Sequence, residues 1–134
     1  MSRVYLIAAD KPLPLCDRRE ERTATVGKYT VSALCGFQVI EHQYYRGAVE
    51  LLNLSMKPYR YELQLECNVH DLDALREYLA GQCDRGERIE LWSLWVGDVT
   101  EPRPVRYQGC LSDFDMNTLQ QFLAAQQICM TITI

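Results

Sequence analysis

The sequence predicts an α+β domain with a ferredoxin-like βαββαβ core over residues 59–134, an antiparallel sheet carrying two helices on one face. Three observations point there. A strand pattern followed by a helix pattern occurs at 59–82 and again at 105–126. The two helical stretches share identical residues at Leu75 and Leu119, Leu79 and Leu123, Ala80 and Ala124, and Gln82 and Gln126, with Tyr78 matched by Phe122. Between them, residues 89–96 read Ile-Glu-Leu-Trp-Ser-Leu-Trp-Val, a strand apolar on both faces and bounded by Gly86 and Gly97.

Residues 4–9 are apolar at nearly every position, as expected of a strand buried on both sides, and Pro12 and Pro14 end it. Residues 17–25 mix charges without an apolar period and read as a solvated loop. Tyr29, Val31 and Ala33 then alternate with polar neighbours, and residues 37–45 hold β-branched and aromatic side chains. That predicts two short strands either side of Cys35 and Gly36. Ala48, Leu51 and Leu52 fall at helical spacing, closed by Lys57 and Pro58.

From Tyr59 the alternation is regular: Tyr59, Tyr61, Leu63, Leu65 and Cys67 on one side, Arg60, Glu62, Gln64 and Glu66 on the other. Asn68 is suited to cap a helix carrying Leu72, Leu75, Tyr78 and Leu79, with Asp71 in its first turn. A turn at 101–104 precedes a strand from Val105, in which Tyr107 and Leu111 alternate with Arg106 and Gln108. Asp113 or Asp115 then caps a helix bearing Met116, Leu119, Phe122 and Leu123, and Ile128, Met130, Ile132 and Ile134 mark a last strand. One domain of 134 residues is expected, with 1–58 as an N-terminal strand extension plus a short helix and 59–134 as its core.

Composition bounds the function. A formal charge of -4 gives no long-range attraction to nucleic acid or to an anionic membrane. The polar side of the predicted sheet shows Glu62, Gln64, Arg106 and Gln108 where RNA-binding domains of this architecture place stacking aromatics. No apolar run reaches the length of a membrane span, and the six cysteines are scattered without a Cys-x-x-Cys, as expected of free, buried thiols in a reducing cytoplasm. A cytoplasmic protein with no membrane or nucleic-acid partner is expected, with no cofactor and no metal.

The sequence does not declare a chemistry. It has no phosphate-binding Gly-rich loop, Gly-x-Ser-x-Gly elbow or His-Glu-x-x-His motif, so none of these signatures marks it as an enzyme. The repeated Asp71-Leu-Asp73 and Asp113-Phe-Asp115 spacing is explained by helix capping, and His70 at a helix start by solvation or capping. Cys110 has no adjoining base and reads as a structural thiol.

Two functional expectations remain. The first is a non-catalytic protein acting through a protein partner or a second copy of itself, adaptor- or immunity-like. In the usual strand order the Trp-bearing strand is an edge needing cover, from the N-terminal strand or from a partner. Trp92, Leu94 and Val96 form that candidate interface. The second is a small-molecule-binding regulatory or enzymatic domain, with a pocket between the N-terminal segment and the sheet lined by His42, Tyr44 and Tyr45. Whichever of Trp92 and Trp95 is the more buried is expected to meet the helical layer at Leu75, Tyr78 or Leu119.

Overall fold

A computed structural model describes residues 2–97 and 103–134, so the turn expected at 101–104 begins outside the described residues. In chain order the elements are β1 (Ser2–Ala9), β2 (Cys16–Asp17), β3 (Glu20–Val26), β4 (Tyr29–Cys35), β5 (Gln38–Glu41), α1 (Arg46–Leu51), β6 (Tyr59–Gln64), α2 (Val69–Gln82), β7 (Arg88–Val96), β8 (Val105–Cys110), α3 (Met116–Ala124) and β9 (Ile128–Thr133). Among the described residues seven strands form one sheet in the order β2-β5-β6-β1-β7-β9-β8, while β3 and β4 pair only with each other. The protein is thus mixed α+β, with the sheet larger than the predicted core.

The strand order departs from a pure ferredoxin-like arrangement in both βαβ units. β1 runs antiparallel to β6 on one side and to β7 on the other, so β6 and β7 are parallel strands with β1 between them. The second unit has no inserted strand: β8 and β9 are parallel and directly paired. A βαβ crossover accommodates either geometry, which is why the repeated sequence pattern did not distinguish them. Within this order β7 is internal, flanked by β1 and β9.

Both faces of the central strands are covered, as their apolar patterning requires. On one face, Ile7, Leu63, Ile89, Leu91 and Met130 pack with Leu75 and Leu79 of α2 and Leu119 and Phe122 of α3. Asn68 caps α2 by accepting from the Asp71 amide at 2.8 Å, and Asp115 caps α3 by accepting from the Thr118 amide at 2.9 Å. Ser93, the one polar residue on this side of β7, is buried and donates its hydroxyl to the Ala125 carbonyl at 3.3 Å.

The other face holds a second core: Val4, Leu6 and Ala8 of β1, Trp92, Leu94 and Val96 of β7, and Cys129 of β9, closed over by Val49 of α1 with Ala48, Leu52, Leu54 and Met56 around it. This corrects the expected position of the buried tryptophan. Trp92 is the fully buried one and lies on the face away from α2 and α3, under α1 and its following segment. Trp95 is half-buried, with the Arg3 guanidinium 4.6 Å above its ring.

Polar groups fasten the cover in place. Arg60 donates to the carbonyls of Lys57 and Met56 at 3.0 and 3.2 Å. Glu90 accepts from the Lys57 amide at 2.8 Å and from the Trp92 indole N–H at 3.2 Å. Arg106 lies 5.1 Å from the Trp92 ring at the other side of the patch. The central part of the face predicted to be open and polar is therefore closed.

Candidate protein interface and a neighbouring cleft

Residues 17–25, read from sequence as a solvated loop, instead enter β3, which pairs with β4 in full register from Glu20↔Cys35 to Val26↔Tyr29. Only Gly27 and Lys28 lie between the strands, and Gly27 takes φ +63° while Lys28 does not enter the left-handed region. A two-residue turn with positive φ at its first position matches the right-handed twist of a hairpin. Thr, Val and Tyr populate the strands, as β-propensity favours.

Cross-strand partners share a face, and successive pairs alternate. One face of this arm therefore carries Ala24 with Val31, Val26 with Tyr29, and Ala33 with Arg22; the opposite face carries the Thr25–Thr30 and Thr23–Ser32 pairs. The two hydroxyls of Thr23 and Ser32 stand 3.3 Å apart. The apolar face is uncovered: Val26 is 66% exposed, Tyr29 76% and Val31 53%, and Ala24 and Ala33 are exposed as well.

The arm is fixed at its base. Arg22 pairs with Glu66, and Arg18 with Glu77 at 2.7 Å. His70 joins the arm to α2, its Nε2 3.1 Å from Glu20 and its Nδ1 3.2 Å from Asp71. Those carboxylates hold the His70 imidazole above its ordinary 6.5, Asp71 contributing most by its hydrogen bond. Asp71 is itself fully buried and accepts from the Glu66 amide at 2.7 Å, a role beyond the capping read from sequence. Gly36 closes the arm at φ +130°, where an added Cβ would come within 3.4 Å of the Arg18 carbonyl and 3.5 Å of Asp71. The exposed part of the arm thus projects from a well-tied root.

The residues expected to form an interface are elsewhere. Trp92, Leu94 and Val96 are 0%, 0% and 2% exposed, so their surface is spent inside the chain beneath α1. The pocket residues separate as well. His42 is buried and lines a cleft of about 460 Å³ together with Arg46, Glu50, Tyr59, Arg60 and Tyr61. Tyr44 and Tyr45 are exposed and are not among its lining residues; Tyr45 precedes α1 with φ 59°. The cleft lies where β5 passes into α1 and not between the N-terminal segment and the sheet.

In the cleft, burial together with the nearby Arg46 and Arg60 charges holds the His42 imidazole below its ordinary 6.5. Its Nε2 is buried without a hydrogen-bond partner, as is the Glu62 Oε2, and burial raises the Glu62 carboxyl above its ordinary 4.5. The six cysteines form no disulfide; Cys83 and Cys129 are buried, whereas Cys67 and Cys110 are exposed, against the expectation of buried thiols. Among the described residues no group of three or more His, Cys, Asp or Glu is placed to hold a metal ion, and no helix is long and apolar enough to cross a membrane.

The alternation of Tyr29, Val31 and Ala33 was the signal for the arm; Gly27 two residues before it, with Ala24 and Val26 alternating upstream, completes a hairpin pattern that the charges at 17–22 obscured. No family model, no curated protein and no solved structure matches this chain.

Proposed function

We propose that this chain is a non-catalytic cytoplasmic protein that docks an extended segment of another protein chain on its β3–β4 arm, in an adaptor- or immunity-like role. One observation carries the reading: the apolar face formed by Ala24, Val26, Tyr29, Val31 and Ala33 is exposed along the arm, with no third strand or helix over it among the described residues. Isolated two-stranded hairpins are marginal in water, and monomeric proteins tend to blunt such edges or cover them. Among the described residues each arm strand has one neighbour, so each offers a free backbone edge to a partner strand while the apolar face takes its side chains. The two βαβ units, a ferredoxin-like core with its strand order altered, serve as the rigid base from which the arm projects.

The test compares wild type with Val31→Glu on the arm and Leu51→Glu on α1, a position 87% exposed and outside the arm. Tagged full-length proteins are used for capture from cytoplasmic extract and for light scattering. Wild type and Leu51→Glu are expected to share a bound species that Val31→Glu loses. A dimer abolished by Val31→Glu would identify the partner as a second copy. Identical behaviour of all three chains contradicts the proposal.

A further inference from the structure

We propose that the cleft beside α1 binds a small oxyanion, a carboxylate or phosphate group carried on a compact apolar or planar body. The proposal is independent of the arm and rests on the placement of three nitrogen-bearing side chains in one recess. His42, Arg46 and Arg60 all line it, in a volume of about 460 Å³ that suits a small molecule.

Arg60 is already immobilised there. Its Nε and Nη2 are held by the Lys57 and Met56 carbonyls, which leaves Nη1 without a hydrogen bond among the described residues. A guanidinium fixed in this way loses little freedom when it meets an anion. Arg46 is the adaptable group: its Nε stands 3.4 Å from Glu50 in a largely exposed pair, the kind of contact an incoming oxyanion readily displaces. The second carboxylate at the rim, Glu41, is occupied by the Gln43 side-chain amide at 2.9 Å.

His42 supplies the third point. Its Nε2 is buried and unpaired, and leaving a buried polar atom unpaired is costly, so a ligand that reaches it returns a hydrogen bond the empty cleft lacks. Pro58, Tyr59 and Tyr61 supply the ring-bearing wall against which an apolar or planar body can lie. Burial, and after it the Arg46 and Arg60 charges, hold the imidazole below its ordinary 6.5, and an anion between the two arginines would offset their part of that effect.

The experiment titrates isotope-labelled full-length protein with inorganic phosphate and, separately, with benzoate, and follows the His42 imidazole and the arginine side-chain N–H signals by NMR. Saturable shifts at His42 and Arg60 are expected, with the His42 titration midpoint moving up as probe binds. Arg46→Gln, at an exposed position, should weaken binding about tenfold, the worth of one charge-assisted hydrogen bond, with an unchanged backbone amide spectrum showing that α1 is still in place. Arm variant Val31→Glu should bind as wild type does, which separates failure of this site from failure of the arm. Tighter benzoate binding assigns a carboxylate ligand, and tighter phosphate binding a phosphate ester. Failure of both probes to shift His42, or equal affinity in wild type and Arg46→Gln, overturns the proposal.

Discussion

Strand β7 and the β3–β4 arm are built from similar residues and have opposite fates. Trp92 of β7 is completely buried, whereas Tyr29 of the arm is 76% exposed. Both stretches pair strand to strand in long registers, and both carry apolar side chains, β7 on its two faces and the arm mainly along one. The difference lies in what covers them. β7 has β1 and β9 as neighbours, α2 and α3 on one side, and α1 with its following segment on the other. Among the described residues the arm has one partner strand and nothing over its apolar face. Apolar content in a strand therefore locates an interface only where the chain itself leaves the strand uncovered.

This contrast can be broken most forcefully at its buried end. Trp92→Ala should lower stability by about 3–5 kcal/mol, read by chemical denaturation, because it empties the centre of the second core and orphans the Glu90 contact. A loss below about 1 kcal/mol would mean that the α1 layer collapses freely onto the sheet. The latch comes next. Glu90→Ala leaves the Lys57 amide and the Trp92 indole N–H without their acceptor, so about 1–3 kcal/mol should be lost while α2 and α3 retain their near-native exchange pattern. On the arm, Val26→Glu should stay within about 0.5 kcal/mol of wild type, since it substitutes a side chain that touches little but water. A loss comparable with Glu90→Ala would show that the arm packs on the body.

The smallest effect concerns the root of the arm. His70 has its midpoint raised by Asp71 and Glu20, so its charged form is the one favoured in the folded protein. The stabilisation is then complete below the ordinary 6.5 and is lost as pH rises through the higher folded value. Signals of Glu20, His70 and Gly36 should broaden or shift over that interval by NMR, and His70→Gln should abolish the change. A root indifferent to pH would leave Arg22–Glu66 and Arg18–Glu77 as its effective ties.

The division between what the sequence showed and what it hid follows the same physics. The repeated helices and their Asn68 and Asp115 caps are local patterns and appear in the structure as read; the alternation from Tyr59 also forms a strand, which ends at Gln64, short of Cys67 where the pattern ran out. The strand order is non-local: nothing in residues 2–9 states that they will insert between β6 and β7. Cover of β7 by the N-terminal strand was one of the two expectations, and β1 supplies it; the insertion places β7 inside the sheet and leaves Trp92, Leu94 and Val96 buried. The arm escaped for the converse reason. A strand exposed on both sides is under no demand to show an inward apolar row along its whole length, so Glu20, Glu21 and Arg22 made its first half resemble a loop. His42 was visible as one of two histidines, but its company with Arg46 and Arg60 depends on how residues 57–60 return beneath α1.

Native-state hydrogen exchange, read residue by residue on dilute full-length protein, tests the central contrast most directly. Amides of β1, β7 and β9 should exchange only through global unfolding, while those from Thr23 to Ser32 should exchange through local opening at far lower free energy, with the root near Glu20 and Cys35 intermediate. Protection of the arm equal to that of β7 in a monomer would mean that its apolar face is covered within the chain, and the arm would then have no surface to offer a partner.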